Sequence, residues 1–182
     1  STAGDVITTD DDVTFASATT LTGPVSVTTG AGGAGNITFG STLNGAQDLT
    51  LLAGTGNVTF TGVVGGTTAL DDVIFTSATN VTATTFSSAT LTQSAGSGTT
   101  TLNGAVSTTA AGGVSLTGTN LAVNNTLTTT GGGTVTVSQS GTATLAAAGD
   151  IISDGAVSLT ATGGISTAGD VITTDDDVTF AS

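Results

Sequence analysis

The chain has 182 residues and 13 acidic side chains, all of them Asp, without a single Lys, Arg or His. Without cationic side chains to neutralise phosphates, binding to nucleic acid or to an anionic membrane surface is not expected. Cys is also absent, which rules out disulfides and a cysteine nucleophile, and no apolar run reaches the roughly 18 residues that a membrane span needs.

The N-terminal segment occurs twice. Ser1 to Ser17 reads STAGDVITTDDDVTFAS, and Ser166 to Ser182 reads the same. Chance does not produce 17 identical consecutive positions. We therefore expect residues 1–165 to be one full repeat and residues 166–182 to start the next identical repeat of a longer chain, which the absence of Met also favours.

Short strands are predicted wherever an apolar, a hydroxyl and an apolar residue follow one another, because this alternation is typical of a strand with one buried face. These triplets begin at Val13, Ile37, Val58, Val114, Val135, Val157 and Val178. The long interval from Val58 to Val114 has room for two more strands, near Val73 to Phe75 and near Leu91. Gly and Asn-Gly turn signals separate the triplets, and Glu, Lys, Met and Arg are missing, so essentially no helix is expected.

The other triplets recur at nearly even intervals, as from Val114 to Val135, Val157 and Val178. This spacing predicts an all-β fold, a right-handed parallel β-helix (β-solenoid) with about eight coils per 165-residue repeat. One coil cannot bury its apolar face alone, so stacked coils must build a continuous core. A β-sandwich is the main alternative, but it needs hairpins and does not predict matching from coil to coil. A calcium-binding β-roll would need Asp within its glycine repeats, which Gly30 to Gly35 lacks.

Three segments, Asp48 to Phe60, Gly112 to Asn125 and Ala148 to Gly164, resemble the passenger repeats of filamentous-haemagglutinin-like adhesins and other bacterial β-strand-repeat surface proteins. The resemblance covers nearly the whole chain. It implies an exported right-handed β-helix that serves in adhesion, surface layers or fibres. It also implies an extracellular or cell-surface location and no catalytic residues.

The acidic residues are candidates for a cation site. Asp150 is expected to stack beneath Asp170, the copy of Asp5, and Asp154 beneath the copy of the Asp10 to Asp12 run. Like charges one strand spacing apart repel, and no cationic side chain relieves them. One hypothesis is that they bind Ca²⁺ together with turn carbonyls, using Asp5, Asp10, Asp11, Asp12, Asp150, Asp154, Asp170, Asp175, Asp176 and Asp177. The alternative is that they are solvated turn residues, and no other cofactor is expected.

Catalysis is not expected. Asp10 to Asp12 and Asp71-Asp72 could be proposed as a general acid and base, as in polysaccharide hydrolases built on β-helices. Sites of that kind also use His, Arg and Lys, all of which are missing here.

Two polar patterns have a structural and a functional interpretation. Runs such as Thr128 to Thr130, Thr134 to Thr136 and Thr142 to Thr144 invite comparison with ice-binding solenoids, although Thr also suits the solvent face of any strand. Glycosylation triplets begin at Asn36, Asn57, Asn80 and Asn124. We favour stacked Asn amides for these residues.

The sequence thus predicts a structural repeat of a long extracellular filament or adhesin stalk, whose partners are copies of itself end to end, as covalent tandem repeats or as a filament. The alternative is an adhesin whose lateral face binds a host or neighbour-cell ligand. Phe15, Phe39, Phe60 and Phe75 occupy apolar strand positions and are expected in the core.

Overall fold

A computed structural model describes all 182 residues and contains 23 short strands and no helix. The strands are β1 (Val6–Ile7), β2 (Val13–Phe15), β3 (Thr19–Thr20), β4 (Val25–Thr28), β5 (Ile37–Phe39), β6 (Leu43–Asn44), β7 (Leu49–Leu52), β8 (Val58–Phe60), β9 (Leu70–Ser77), β10 (Val81–Ala83), β11 (Phe86–Gln93), β12 (Thr99–Leu102), β13 (Val106–Thr108), β14 (Val114–Gly118), β15 (Asn120–Val123), β16 (Leu127–Thr129), β17 (Val135–Gln139), β18 (Thr142–Leu145), β19 (Ile151–Ser153), β20 (Val157–Ala161), β21 (Gly164–Thr167), β22 (Val171–Thr173) and β23 (Val178–Ala181). Because the structure contains no helix, it has no helical segment that could span a membrane.

Each coil of the chain contributes to three stacked columns of parallel strands, here called faces A, B and C. Face A contains β2, β5, β8, β10, β12, β15, β18 and β21. Face B contains β3, β6, Val64, the start of β11, β13, β16, β19 and β22. Face C contains β1, β4, β7, β9, the end of β11, β14, β17, β20 and β23. The predicted β-solenoid of about eight coils is confirmed.

The core is a single cluster of 36 buried apolar residues that runs through the stack. On face C its members match from coil to coil, as in Val114, Val135 and Val157. On face A the rings of Phe15, Phe39 and Phe60 stack at centroid distances of 4.7 and 5.1 Å. Burying one such side chain contributes about 1.5–3 kcal/mol, so stacking supplies what a lone coil lacks. Phe75 is also buried, and the core assignment of these rings is confirmed, with Phe15 half-buried in the first coil.

The strand triplets were predicted correctly as strands, but they do not follow one face. Val13, Ile37 and Val58 lie on face A, whereas Val114, Val135, Val157 and Val178 lie on face C. The two strands predicted near Val73 and Leu91 are the C-face parts of β9 and β11. All three faces use the same alternation, so the pattern alone does not tell one face from another.

The last coil leaves apolar side chains on an unpaired edge. Val178 and Phe180 are 40 and 48% exposed, although Val157 and Leu159 in the coil below are buried. They belong to β23, which pairs on one side only, with β20. Ile172 faces outward, like Ile152 beneath it, and the two are 51 and 42% exposed.

Candidate polar groove on face A

A shallow groove of about 460 Å³ runs along the outside of face A and crosses five coils. Its lining contains no hydrophobic residue: Asp12, Asn36, Thr38, Asn57, Thr59, Asn80, Thr82, Thr99 and Thr101. Two columns of side chains build it. One precedes each strand and consists mainly of Asn, and the other is the outward-facing residue of each strand and consists of Thr.

The Asn column is a continuous hydrogen-bonded ladder. Asn57 donates its backbone N–H and its Nδ2–H to Asn36 Oδ1, at 3.0 and 2.9 Å. Asn80 donates in the same way to Asn57 Oδ1, at 3.1 and 2.8 Å. Thr99 N–H then donates to Asn80 Oδ1 at 2.9 Å. Each amide therefore holds the start of the strand above it, and the expected stacking of these three Asn residues is confirmed.

Asp12 is the lowest member of this ladder. Its Oδ1 accepts from both the backbone N–H and the Nδ2–H of Asn36, at 2.7 and 3.0 Å. A carboxylate only accepts, and both hydrogen bonds that Asp12 makes to Asn36 require an acceptor. Hydrogen bonds to an ionised acceptor are also the stronger kind.

The Thr column stays in register over five coils, in the order Thr14, Thr38, Thr59, Thr82 and Thr101. It is interrupted at Ala122 and resumes at Thr144. The hydroxyls of Thr38, Thr59, Thr82 and Thr101 make no hydrogen bond within the chain. They are therefore free to bind water or a ligand that offers hydroxyl groups.

The Thr runs singled out in the sequence do not form one array. Thr128 to Thr130 lies on face B, Thr136 on face C and Thr142 to Thr144 on face A. The in-register column was missed, although its signal, Asn-x-Thr at the start of successive strands, is present in the sequence. Asn124 is outside this ladder and donates its Nδ2–H to Asn103 Oδ1 at 2.9 Å.

Five of the 13 acidic side chains accept a backbone N–H group of a neighbouring coil, namely Asp5, Asp12, Asp48, Asp150 and Asp154. Asp170 stacks on Asp150 as expected, and its N–H donates to Asp150 Oδ1 at 2.9 Å. Asp5 Oδ1 accepts from Ser26 N–H at 2.8 Å, and Asp154 Oδ2 accepts from Gly132 N–H at 2.7 Å. Asp thus fills the role that Asn fills in the ladder.

No group of three or more acidic side chains converges on a point where a metal ion could bind. The calcium site at Asp5, Asp10 to Asp12, Asp150, Asp154, Asp170 and Asp175 to Asp177 therefore stays an untested prediction. The candidate catalytic runs are also separated: Asp12 precedes β2 on face A, whereas Asp72 lies in β9 and accepts from Thr90 Oγ1 at 2.7 Å.

No protein-family model, curated protein or solved structure matches the chain. The resemblance to bacterial β-helical adhesins accordingly remains a prediction.

Proposed function

We propose that the chain is a structural segment of a long extracellular or cell-surface β-solenoid, a filament or an adhesin stalk. The observation that carries this proposal is the way in which the second copy of the repeated segment continues the rod. Val171 pairs with Ile151, and Val178 pairs with Val157, so residues 166–182 stack on the preceding coil like any other. Each further repeat that stacks in this way would add coils to the rod without requiring a different fold.

The lateral surface also suits a spacer. The outward residues of the strands are mostly Thr, Ser and Asn, as in Ser115, Thr136 and Ser158 on face C. Five of the six Phe side chains point into the core, and the sixth, Phe180, is exposed on the edge of the last coil. The 13 negative charges make neighbouring rods repel one another.

The present chain lengthened by one further 165-residue repeat tests this proposal. Electron microscopy should show a rod that is longer than the present one by about 37 Å, at about 4.8 Å per coil. An antibody against the folded repeat should label intact cells of the source organism. A lengthened chain that forms a compact particle of unchanged length would contradict the filament, and labelling only after permeabilisation would contradict the location.

The polar groove favours a second candidate, an adhesin whose lateral face binds a ligand. Rows of amides and free hydroxyls match a hydroxyl-rich ligand such as a glycan. A glycan array should then give binding that is lost in the double variant Thr59→Val and Thr82→Val. The matched control on face C, Thr136→Val, should retain glycan binding. Equal loss of binding in both variants would mean that the substitutions disturb the fold rather than the groove.

A further inference from the structure

The two identical segments lie on different faces of the solenoid. In the first copy, Val6 pairs with Val27 on face C and Val13 pairs with Ile37 on face A. In the second copy, Val171 pairs with Ile151 on face B and Val178 pairs with Val157 on face C. The second copy is thus displaced by one face relative to the first.

The local structure of the segment is nevertheless the same in both places. Thr8 Oγ1 donates to Asp11 O at 2.7 Å, and its counterpart Thr173 Oγ1 donates to Asp176 O at 2.6 Å. Asp10 and its counterpart Asp175 both adopt positive φ, 68° and 61°, and are the only two residues other than Gly that do so. The corner therefore keeps its own conformation, wherever it lies in the coil.

The side chains also keep their inward or outward direction. Phe15 pairs with the buried Phe39, and its counterpart Phe180 pairs with the buried Leu159. Thr14 and Thr179 both pair with outward-facing neighbours, Thr38 and Ser158. Since every face offers the same alternating surface, nothing in the segment restricts it to one face.

The displacement follows from the length of the repeat. From Val13, seven complete coils along face A lead to Ile165, and two further faces lead to Val178. The full repeat, residues 1–165, therefore falls one face short of a whole number of coils.

We propose that successive repeats present the same surface in three directions in turn. This inference rests on the proposed function, a chain of tandem repeats. Each repeat rotates its features by one face, about 120°, so the polar groove of face A recurs on face C in the next copy and on face B in the third. The pattern returns to face A after 23 coils, about 110 Å at the strand spacing. A partner that fits the groove would find it on three sides of the filament.

Paired cysteines in the present chain test the displacement, because the chain has no Cys of its own. Thr179 lies beside Ser158 on face C. If the second copy took the faces of the first, Thr179 would instead lie beside the exposed Thr144 on face A. Dibromobimane, a short cross-linker that becomes fluorescent when both arms react with thiols, should bridge the pair Ser158→Cys and Thr179→Cys. It should leave the pair Thr144→Cys and Thr179→Cys unbridged.

An interior pair provides the control. Thr136 lies beside Ser158 within the first repeat, so Thr136→Cys with Ser158→Cys should cross-link at a similar yield. If the control pair and the Thr144–Thr179 pair cross-link but the Ser158–Thr179 pair does not, the proposed rotation is wrong. The proposed filament is unaffected by that outcome. Failure of the interior control would overturn the solenoid stacking on which the proposed function itself depends.

Discussion

Thr108 lies directly beneath Thr129 in a buried column of hydroxyl side chains on face B, yet only Thr129 has a hydrogen-bond partner. Thr129 Oγ1 donates to Gly133 O at 2.5 Å and lies 3.0 Å from Ser153 Oγ. Thr108 Oγ1 and Ser88 Oγ, one and two coils below Thr129, have none. A buried hydroxyl without a partner costs about 1–3 kcal/mol, so the column contains both a stabilising and a destabilising member.

The same substitution at these two positions should have opposite effects. Thr108→Val removes an unpaired hydroxyl and should raise the melting temperature. Thr129→Val removes a satisfied one, leaves Gly133 O and Ser153 Oγ with fewer partners, and should lower the free energy of unfolding by about 1–2 kcal/mol. Thermal melting followed by circular dichroism compares the two, and destabilisation by both variants would indicate that Thr108 is satisfied by a buried water.

The ladder in the polar groove predicts that an Asp side chain is tolerated at its first position and destabilises the fold at an interior position. Asn57→Asp loses the Nδ2–H that donates to Asn36 Oδ1 and places two acceptors together, so we expect a loss of about 1–2 kcal/mol. Asp12→Asn keeps an oxygen that accepts from Asn36 and should change stability much less. Urea unfolding of the two variants measures the difference, and equal effects would mean that charge rather than hydrogen bonding determines the ladder.

Aromatic stacking should matter in the interior and not at the edge. Phe39 is 2% exposed between two stacked rings, and Phe39→Ala should cost about 3–5 kcal/mol. Phe180 is 48% exposed, so Phe180→Ala in the same chain should have a far smaller effect. A comparison of unfolding midpoints checks this, and a large effect at Phe180 would mean that the edge strand controls the stability of the whole rod.

Close contact between turns predicts that Gly56 resists substitution. A Cβ at Gly56 would meet the carbonyl oxygen of Gly35 in the coil below, which is backbone and cannot turn aside. A Cβ at Gly32 would meet nothing within 4 Å. Gly56→Ala should therefore lower the melting temperature clearly, and Gly32→Ala should leave it nearly unchanged; a tolerated Gly56→Ala would show that the turns can separate.

Calcium and simple salt should be distinguishable by their effects on melting. Because no group of three acidic side chains converges, and Asp5, Asp150 and Asp154 already accept backbone N–H groups, EDTA should leave the transition unchanged. Added NaCl should raise the melting temperature, since it screens repulsion among 13 uncompensated charges. A saturable rise with CaCl₂ that MgCl₂ at equal ionic strength does not reproduce would support the calcium site.

Alternation and turn spacing were sufficient to predict nine of the 23 strands and the solenoid, since both are local properties of the sequence. The assignment of strands to faces was not predictable in this way. The step from Val58 to Val81 on face A and the step from Val114 to Val135 on face C have nearly the same length along the sequence. Only pairing between coils distinguishes them, and that depends on the whole stack.

The candidate groove was predictable in part. The Asn ladder follows from stacked Asn-x-Thr triplets, and Asp150 and Asp170 were aligned correctly from their shared context. The Thr column was missed because the dense Thr runs are the more conspicuous pattern, and their members lie on three different faces. The missing partner of Thr108 could not be predicted from the sequence. It depends on whether a carbonyl oxygen of the following turn lies within hydrogen-bond distance, as Gly133 O does for Thr129.

The pairing of strands along the rod has a mechanical consequence. Thr2 pairs in the first coil and β23 closes the last, so a force applied between the two ends acts along the axis and loads the hydrogen bonds between coils one after another. A coil such as the one from Val114 to Val135 contributes about 4.8 Å to the folded rod but about 70 Å when pulled straight. Under tension the rod would unwind from its ends in steps of one coil. In the stalk proposed above, such unwinding would lengthen the rod under a sudden load while the remaining coils stay folded.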